Sequence, residues 1–136
     1  MKVSTKGTYA LKVMMDIAIF SKEKNVSISD IALRNNLSEK YLEKIIAGLV
    51  KANLLTSSRG AQGGYRLNRE PKYIKLGEIM HATEGQLKSV SCLENGGSCN
   101  MANMCASVKV WAKLDSIVND FFDKTSLEDC LNGNFD

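Results

Sequence analysis

The sequence predicts a mainly α-helical protein with one small β-hairpin and a long helix near its C-terminus. Three observations support this fold class. Apolar residues recur at helical spacing through much of 4–52, a glycine-rich stretch at 59–64 lies between two strand-like runs, and the longest periodic segment extends from about 106 to 124. With 136 residues, 44% of them hydrophobic, the chain can bury one compact core.

The first two predicted helices have recognisable start signals. Ser4 is suited to cap the first helix, whose apolar stripe runs until the polar stretch at 21–25. Ser27 and Asp30 have the spacing of a capping box for the second helix, with Ser29 as an alternative cap. The apolar residues of this short second helix are Ile31, Ala32 and Leu33.

The third predicted helix, roughly Ser38 to Ala52, follows a tight break at 35–38. Its apolar residues are predicted to be buried, and its charged residues, among them Lys40, Glu43 and Lys44, crowd the N-terminal half of the outward face. Two helices joined by so short a turn fit a helix-turn-helix whose second helix enters the major groove of DNA. An ordinary helical hairpin with a solvated face fits the same pattern.

The segment that follows favours the helix-turn-helix. Strand-like runs at 54–58 and 65–67 flank the glycine-rich stretch, which begins with Arg59 and Gly60. A hairpin directly after a recognition-type helix predicts a winged helix. Glycines let the backbone approach phosphates closely, and Arg59 has the reach and charge for a minor groove. A nucleotide-binding loop is disfavoured, because the stretch lacks the lysine and hydroxyl of a P-loop and no helix follows it.

Charge is distributed unevenly along the chain. Residues 1–75 hold fourteen Lys or Arg against six Asp or Glu, a net charge of +8, whereas residues 76–136 hold four against nine, a net charge of −5. A basic front half indicates a polyanionic partner such as nucleic acid. We therefore expect a winged helix-turn-helix DNA-binding domain at 1–75, and a region at 76–136 with a cysteine segment and a dimerisation helix.

Several classes of protein are disfavoured. The chain has no long apolar run and no signal-peptide pattern at its start, which predicts a cytoplasmic protein. It has a single histidine, His81, which we interpret as a surface or packing residue. No nucleophile accompanies a base at motif spacing, so the sequence predicts that the protein is not an enzyme.

Three thiols, Cys92, Cys99 and Cys105, fall within fourteen residues. In a reducing compartment such cysteines indicate metal binding or redox activity, or have no role, rather than a disulfide framework. Their spacing is wider than the CxxC pairs of structural zinc sites, which favours an iron–sulfur cluster. Cys130 stands apart and would join the other three only if the C-terminal helix folds back over the cysteine segment.

The long C-terminal helix has a broad apolar stripe. A winged helix needs only part of this stripe to complete its core, so the remainder suits pairing between two subunits, although the aromatic residues also fit an intramolecular core. After it, Thr125 and Glu128 have capping-box spacing for a last short helix. The stripe residues are Val108, Trp111, Ala112, Leu114, Ile117, Val118, Phe121 and Phe122.

Four motifs resemble the Rrf2 family of bacterial winged-helix transcription regulators: 4–11 (STKGTYAL), 38–44 (SEKYLEK), 59–67 (RGAQGGYRL) and 76–79 (LGEI). With the three cysteines that follow, the chain is most similar to the iron–sulfur cluster regulators of this family, IscR, and their nitric-oxide-sensing relatives, NsrR. The resemblance implies that Lys40, Glu43 and Lys44 face base edges and that Arg59 enters the minor groove. Residues at or near the DNA backbone would be Tyr9, Ser38, Tyr41 and Gly60.

Chemistry supports part of this assignment. A glutamate accepts a hydrogen bond from cytosine N4, and a lysine donates to guanine or neutralises phosphate. Tyr9 and Tyr41 also fit a packing role.

The resemblance also implies a homodimer, an imperfect palindromic DNA operator, and an iron–sulfur cluster, 2Fe-2S rather than 4Fe-4S, that modulates repression or other regulation. The fourth cluster ligand stays open, because Ser107 and Thr8 occupy the two positions where the family places a histidine or an acidic residue. Two alternatives are a regulator of the same fold controlled by thiol oxidation, zinc or a protein partner, and an iron–sulfur carrier.

Overall fold

The protein was analysed as a computed structural model, which describes residues 3–85 and 106–135. Within these ranges the fold is mainly helical with a two-stranded antiparallel hairpin, as predicted. The elements are α1 (Thr5–Phe20), α2 (Ile28–Asn35), α3 (Glu39–Lys51), β1 (Leu55–Ser58), β2 (Gly64–Leu67), a 3₁₀ turn (Pro71–Tyr73), α4 (Leu76–Glu84), α5 (Ser107–Lys124) and α6 (Leu127–Asn132).

Serine caps start the first three helices. The side-chain oxygen of Ser4 accepts from the Gly7 amide at 3.2 Å, that of Ser27 from the Asp30 amide at 3.1 Å, and that of Ser38 from the Tyr41 amide at 3.2 Å. These contacts satisfy amides that have no partner within the helix. The prediction of Ser4 and Ser38 as caps is confirmed, and Ser27 rather than Ser29 caps α2.

The last helix is capped one residue later than predicted. Ser126 accepts from the Asp129 amide at 3.0 Å and its own amide donates to the Asp129 carboxylate at 2.9 Å. The prediction of a Thr125–Glu128 box was wrong because the Thr125 backbone is already committed. Its amide donates to Phe121 at the end of α5, and its carbonyl accepts from Leu76.

Helix α1 lies at the centre of the core. It contacts α2, α3, α4, α6 and β2, and Ala10, Val13, Met14 and Ile17 are fully buried. Apolar residues of α4 and α6 belong to the same core, so residues beyond 75 complete the packing of those before it. The domain boundary near 75 stays a prediction.

The interior faces of α2 and α3 follow the sequence pattern with one exception. The predicted face of α3 is buried at Leu42, Ile45, Ile46 and Leu49. In α2, however, Leu33 is 83% exposed. This helix turns its preceding residues, 31 and 32, into the core, and the next position along a helix rotates away from that face.

A paired charge joins α1 to α2. Asp16 is only 7% exposed, and Arg34 donates to its two carboxylate oxygens, through Nε and Nη2, at 2.8 Å each. Asn35 donates to the same carboxylate at 3.1 Å, and the Arg34 guanidinium lies 4.0 Å above the centre of the Phe20 ring. The hydrogen bond with Asp16 raises the pKa of Arg34. Because a buried carboxylate requires such partners, this pair fixes α2 against α1.

Helix α5 presents two faces. Its C-terminal end lies against the start of α4, where the Leu76 amide donates to the Thr125 carbonyl at 2.8 Å, and Phe122 packs on the core. Much of the predicted apolar stripe points away from this contact. Its exposed large residues are Trp111, Leu114, Ile117 and Phe121, and Val110, which was not part of the predicted stripe, adds to them; all five are 38–59% exposed. No helix in the described ranges is long and apolar enough to cross a membrane.

We predict that Arg34→Ala lowers the free energy of unfolding by roughly 2–4 kcal/mol, because it leaves the Asp16 carboxylate, which is only 7% exposed, without its charged partner. Urea unfolding followed by circular dichroism measures this loss. Lys124→Ala is the control, since it removes an exposed ion pair with Asp120 and should change stability by less than about 1 kcal/mol. Equal effects of the two substitutions would contradict a larger contribution of the Asp16–Arg34 pair to stability.

Candidate nucleic-acid interface

The N-terminal half of α3 presents charged side chains to solvent. Glu39, Lys40, Glu43 and Lys44 are all exposed, while the opposite side of the helix is anchored in the core. The turn before α3 is short because Asn36 adopts the left-handed conformation, with φ 53° and ψ 49°, and its amide donates to Ala32. This is the arrangement of a helix-turn-helix with a free recognition face.

The hairpin forms the predicted wing. Residues 59–63, which we call the wing tip, connect β1 to β2, and the Gly63 amide donates to the Gly60 carbonyl at 2.9 Å. Gly60 has φ +101°, a conformation that side chains with a Cβ rarely adopt. Arg59 and Gly60 are both exposed. The wing tip therefore offers a guanidinium and open backbone to a partner.

Helix α2 lies between the recognition helix α3 and the wing tip. A cleft near its N-terminus is bordered by the wing tip at Ala61–Gly63 and by Lys24, Asn25 and Ser27, and α3 begins just beyond its C-terminus. An eight-residue helix is about 12 Å long, so the recognition helix and the wing flank it at close range.

Tyr9 and Tyr41 contact each other across the α1–α3 interface. Their rings meet edge to face, with centroids 5.8 Å apart and an interplanar angle of 86°, and Lys12 Nζ lies 5.3 Å from the centre of the Tyr9 ring. Both tyrosines are half-buried. The structure thus gives them the packing role that the sequence allowed, and their contact with the DNA backbone stays a prediction.

Two polar residues in or near this region had no role in the sequence-based prediction. Glu84, at the end of α4, accepts from the amides of Ser4 and Gly7 at 3.1 and 3.0 Å and from the Ser4 hydroxyl. A side chain on Gly7 would overlap the Glu84 carboxylate. Asn25, before α2, contacts the wing. A glycine inside the first turns of α1 was the one available signal for the Glu84 contact.

The predicted cluster ligands Cys92, Cys99 and Cys105 lie outside the described residues. The described residues on either side of them are Gly85, which follows Glu84 beside the N-terminus of α1, and Ala106. In the described ranges, no group of three or more His, Cys, Asp or Glu is placed to hold a metal ion.

Cys130 lies on α6, in the part of the chain that the structure describes, and its joining the other three cysteines stays a prediction. Helix α6 lines a cleft with Ala18 and Lys22 at the C-terminal end of α1, whereas Gly85 lies at the N-terminal end of that helix. Burial, together with the neighbouring Asp129 charge, raises the pKa of the Cys130 thiol. Of the other two positions considered, Thr8 is exposed and its hydroxyl donates to the Ser4 carbonyl at 3.0 Å, and Ser107 opens α5.

The sequence of residues 3–133 matches the model of the Rrf2 family, described as an iron-dependent transcriptional regulator. The chain belongs to the Rrf2 family. It is 40% identical over 129 residues to the HTH-type transcriptional regulator CymR of Bacillus subtilis, covering 95% of this chain and 88% of CymR. It is 33% identical over 134 residues to the HTH-type transcriptional regulator IscR of Vibrio campbellii, covering 98% and 79%.

Solved structures of such regulators have the same fold. The structure of CymR, the global cysteine regulator of B. subtilis, aligns with a TM-score of 0.82 at 38% identity, covering 98% of each chain. That of T. potens IscR aligns with a TM-score of 0.79 at 41% identity, covering 98% of this chain and 88% of the other. The protein is therefore a DNA-binding transcription regulator of the Rrf2 family. Its named relatives are regulators, which confirms that it is not an enzyme.

Proposed function

We propose that this Rrf2-family regulator works in the cytoplasm and reads an operator through α3 and the wing. Lys40, Glu43 and Lys44 face base edges, and Arg59 enters the minor groove. Ser38 and Gly60, with Tyr9 and Tyr41, lie at the DNA backbone. The observation that carries this proposal is the exposed, charged N-terminal half of α3, on a helix whose other face is held in the core.

Glu43 tests direct readout. Like Glu39, it carries a negative charge that repels phosphate. A favourable contribution of Glu43 to DNA binding would therefore come from a specific base contact, such as one with cytosine N4. We predict that Glu43→Ala changes the consensus obtained when the protein selects sites from random DNA. At the affected position it should lose about 1–3 kcal/mol of discrimination, while nonspecific affinity stays equal or rises.

Glu39→Ala is the matched control, because it removes the same charge from the same exposed end of α3. It should keep the wild-type consensus. If both variants return that consensus, Glu43 does not read sequence.

We further propose that the outward stripe of α5 joins two copies of the chain. Five large apolar residues on one face of an exposed helix are more than a monomeric surface normally leaves in water. A two-fold dimer through this stripe would place two recognition helices on successive turns of DNA, so the operator would be an imperfect palindrome.

The dimer interface can be disrupted by one charge. Ile117 is 55% exposed near the middle of the stripe, so Ile117→Asp should leave the fold intact but desolvate a carboxylate in the dimer. We predict that sedimentation shifts from twice the chain mass of 15.0 kDa to the monomer. Ser116→Asp, on an exposed position off the stripe, should stay dimeric. A dimer that survives Ile117→Asp with unchanged circular dichroism would exclude this interface.

We propose that Cys92, Cys99 and Cys105 hold an iron–sulfur cluster and that its state modulates operator binding. The family is described as iron-dependent, and thiolates are the ligands such clusters prefer. This donor set fits three of four coordination positions. When bound, a 2Fe-2S cluster would supply chemistry that iron status, redox conditions or nitric oxide can alter.

The described residues offer a physical connection to DNA binding. Gly85 begins the cysteine segment, and the preceding Glu84 carboxylate holds the N-terminus of α1. One turn further along α1, Tyr9 packs on Tyr41 in the first turns of α3. A change in the cysteine segment would therefore act on the N-terminal end of α3 through the contacts of Glu84 and Tyr9.

Anaerobic purification tests the cluster. We predict visible charge-transfer absorption with bound iron and sulfide, which Cys92→Ala, Cys99→Ala or Cys105→Ala each reduces. Cys130→Ala is the matched control and should keep colour and iron, because Cys130 is the one cysteine of the chain outside the proposed ligand set. A colourless, iron-free protein that still binds its operator would contradict the cluster proposal.

That outcome would favour a second candidate, a regulator of the same fold controlled by thiol oxidation, zinc or a protein partner. The similarity to B. subtilis CymR, the global cysteine regulator of that organism, supports it. Cys130 would not be its reactive thiol, since a raised pKa leaves little thiolate at neutral pH.

A further inference from the structure

We propose that Asn25 is a positioning residue for DNA binding, which holds the wing tip in the orientation that presents Arg59. The inference rests on the proposed role of the wing and adds a residue to it. Asn25 lies in the loop between α1 and α2, 37 residues away in sequence from the wing-tip residue it contacts. Its side chain is half-buried between this loop and the wing.

Both ends of the Asn25 amide are used. Its Nδ2 donates to the Gln62 carbonyl at 3.2 Å, and its Oδ1 accepts from Arg66 Nε at 2.7 Å. The chemistry of the partners fixes the orientation of the amide, because a carbonyl can only accept and a guanidinium can only donate. Asparagine therefore joins the wing tip to β2 in a way that neither aspartate nor an apolar residue reproduces.

The backbone of Val26, the residue after Asn25, pairs with strand β2. The Val26 amide donates to the Tyr65 carbonyl at 2.9 Å, and the Tyr65 amide donates to the Val26 carbonyl at 2.8 Å. Gly64, with φ +139°, allows this approach, since a Cβ there would overlap the Val26 carbonyl. The base of the wing is thus fixed by backbone pairing.

The wing tip needs its own support. A hairpin of two four-residue strands is marginal in water by itself, and the tip faces solvent at Gly60, where an added Cβ would meet nothing within 4 Å. The Asn25–Gln62 contact ties this projecting turn to the body of the protein. A tip that is ordered before binding loses less conformational entropy when Arg59 meets DNA.

Two single variants, their double variant and one control test the inference at fixed salt on the selected operator. Asn25→Ala should weaken binding about three- to tenfold, the net value of one or two hydrogen bonds. Arg59→Ala should weaken it by itself, and the double variant should bind within about twofold of Arg59→Ala, because Asn25 acts through that arginine. Asn132→Ala, an exposed asparagine on α6, should bind as the wild type does.

Hydrogen exchange reports on the wing without DNA. In Asn25→Ala the Gly63 amide, which closes the turn onto Gly60, should exchange faster, and in Arg59→Ala it should not. Asn25→Asp should resemble Asn25→Ala, since a carboxylate keeps the Arg66 contact but cannot donate to Gln62. These shifts distinguish positioning from a general loss of stability, which would raise exchange in the core as well.

The outcomes separate this inference from the proposed function. Multiplicative losses in the double variant, or wild-type exchange at Gly63 in Asn25→Ala, would overturn the role of Asn25 while leaving the wing contact intact. If Arg59→Ala binds like the wild type, the proposed wing contact itself fails, and with it the claim that Asn25 presents Arg59. Faster Gly63 exchange would then show only that Asn25 orders the tip.

Discussion

The ion pair between Asp16 and Arg34 is the constraint on which the DNA-binding half depends. Helix α1 is surrounded by other elements, so a carboxylate on its inward side is shielded from water and requires a strong donor. Arg34 supplies that donor from α2 and thereby fixes how α2 crosses α1. Because α3 follows α2 after a short turn, and the wing tip lies beside the N-terminus of α2, this one pair, with its buried carboxylate, helps to orient both elements of the proposed interface.

Local signals made much of this fold predictable. Serine caps and helical periodicity act over three or four residues, so Ser38 and the buried face of α3 could be identified from the sequence alone. The exposure of Leu33 could not be predicted, because an eight-residue helix has too few turns to show which apolar residues face the core. In α5 the stripe is broad enough for two faces, and only packing decided that Phe122 faces inward and Phe121 outward.

The contacts that sequence reasoning missed are long-range and polar. Glu84 contacts a residue 80 positions earlier, and Asn25 one 37 positions later. A hydrogen bond between such distant residues leaves no periodicity, and a glutamate at a helix end or an asparagine in a loop is ordinary in composition. The candidate DNA contacts were predictable as exposed charges on a recognisable motif, but which atoms they meet on DNA is a property of the complex.

The fold determines how this regulator binds DNA more than it determines which signal the regulator senses. CymR of B. subtilis and IscR of T. potens both align with nearly all of the chain, although CymR is a cysteine regulator and bears a different name from IscR. A shared fold therefore carries DNA binding without specifying the signal. In the proposed mechanism the signal depends on the three thiols between Gly85 and Ala106. In that proposal Glu84, which lies just before the segment and also holds α1, would pass a change at the thiols to the recognition helix through α1, the same helix whose Asp16 positions α2.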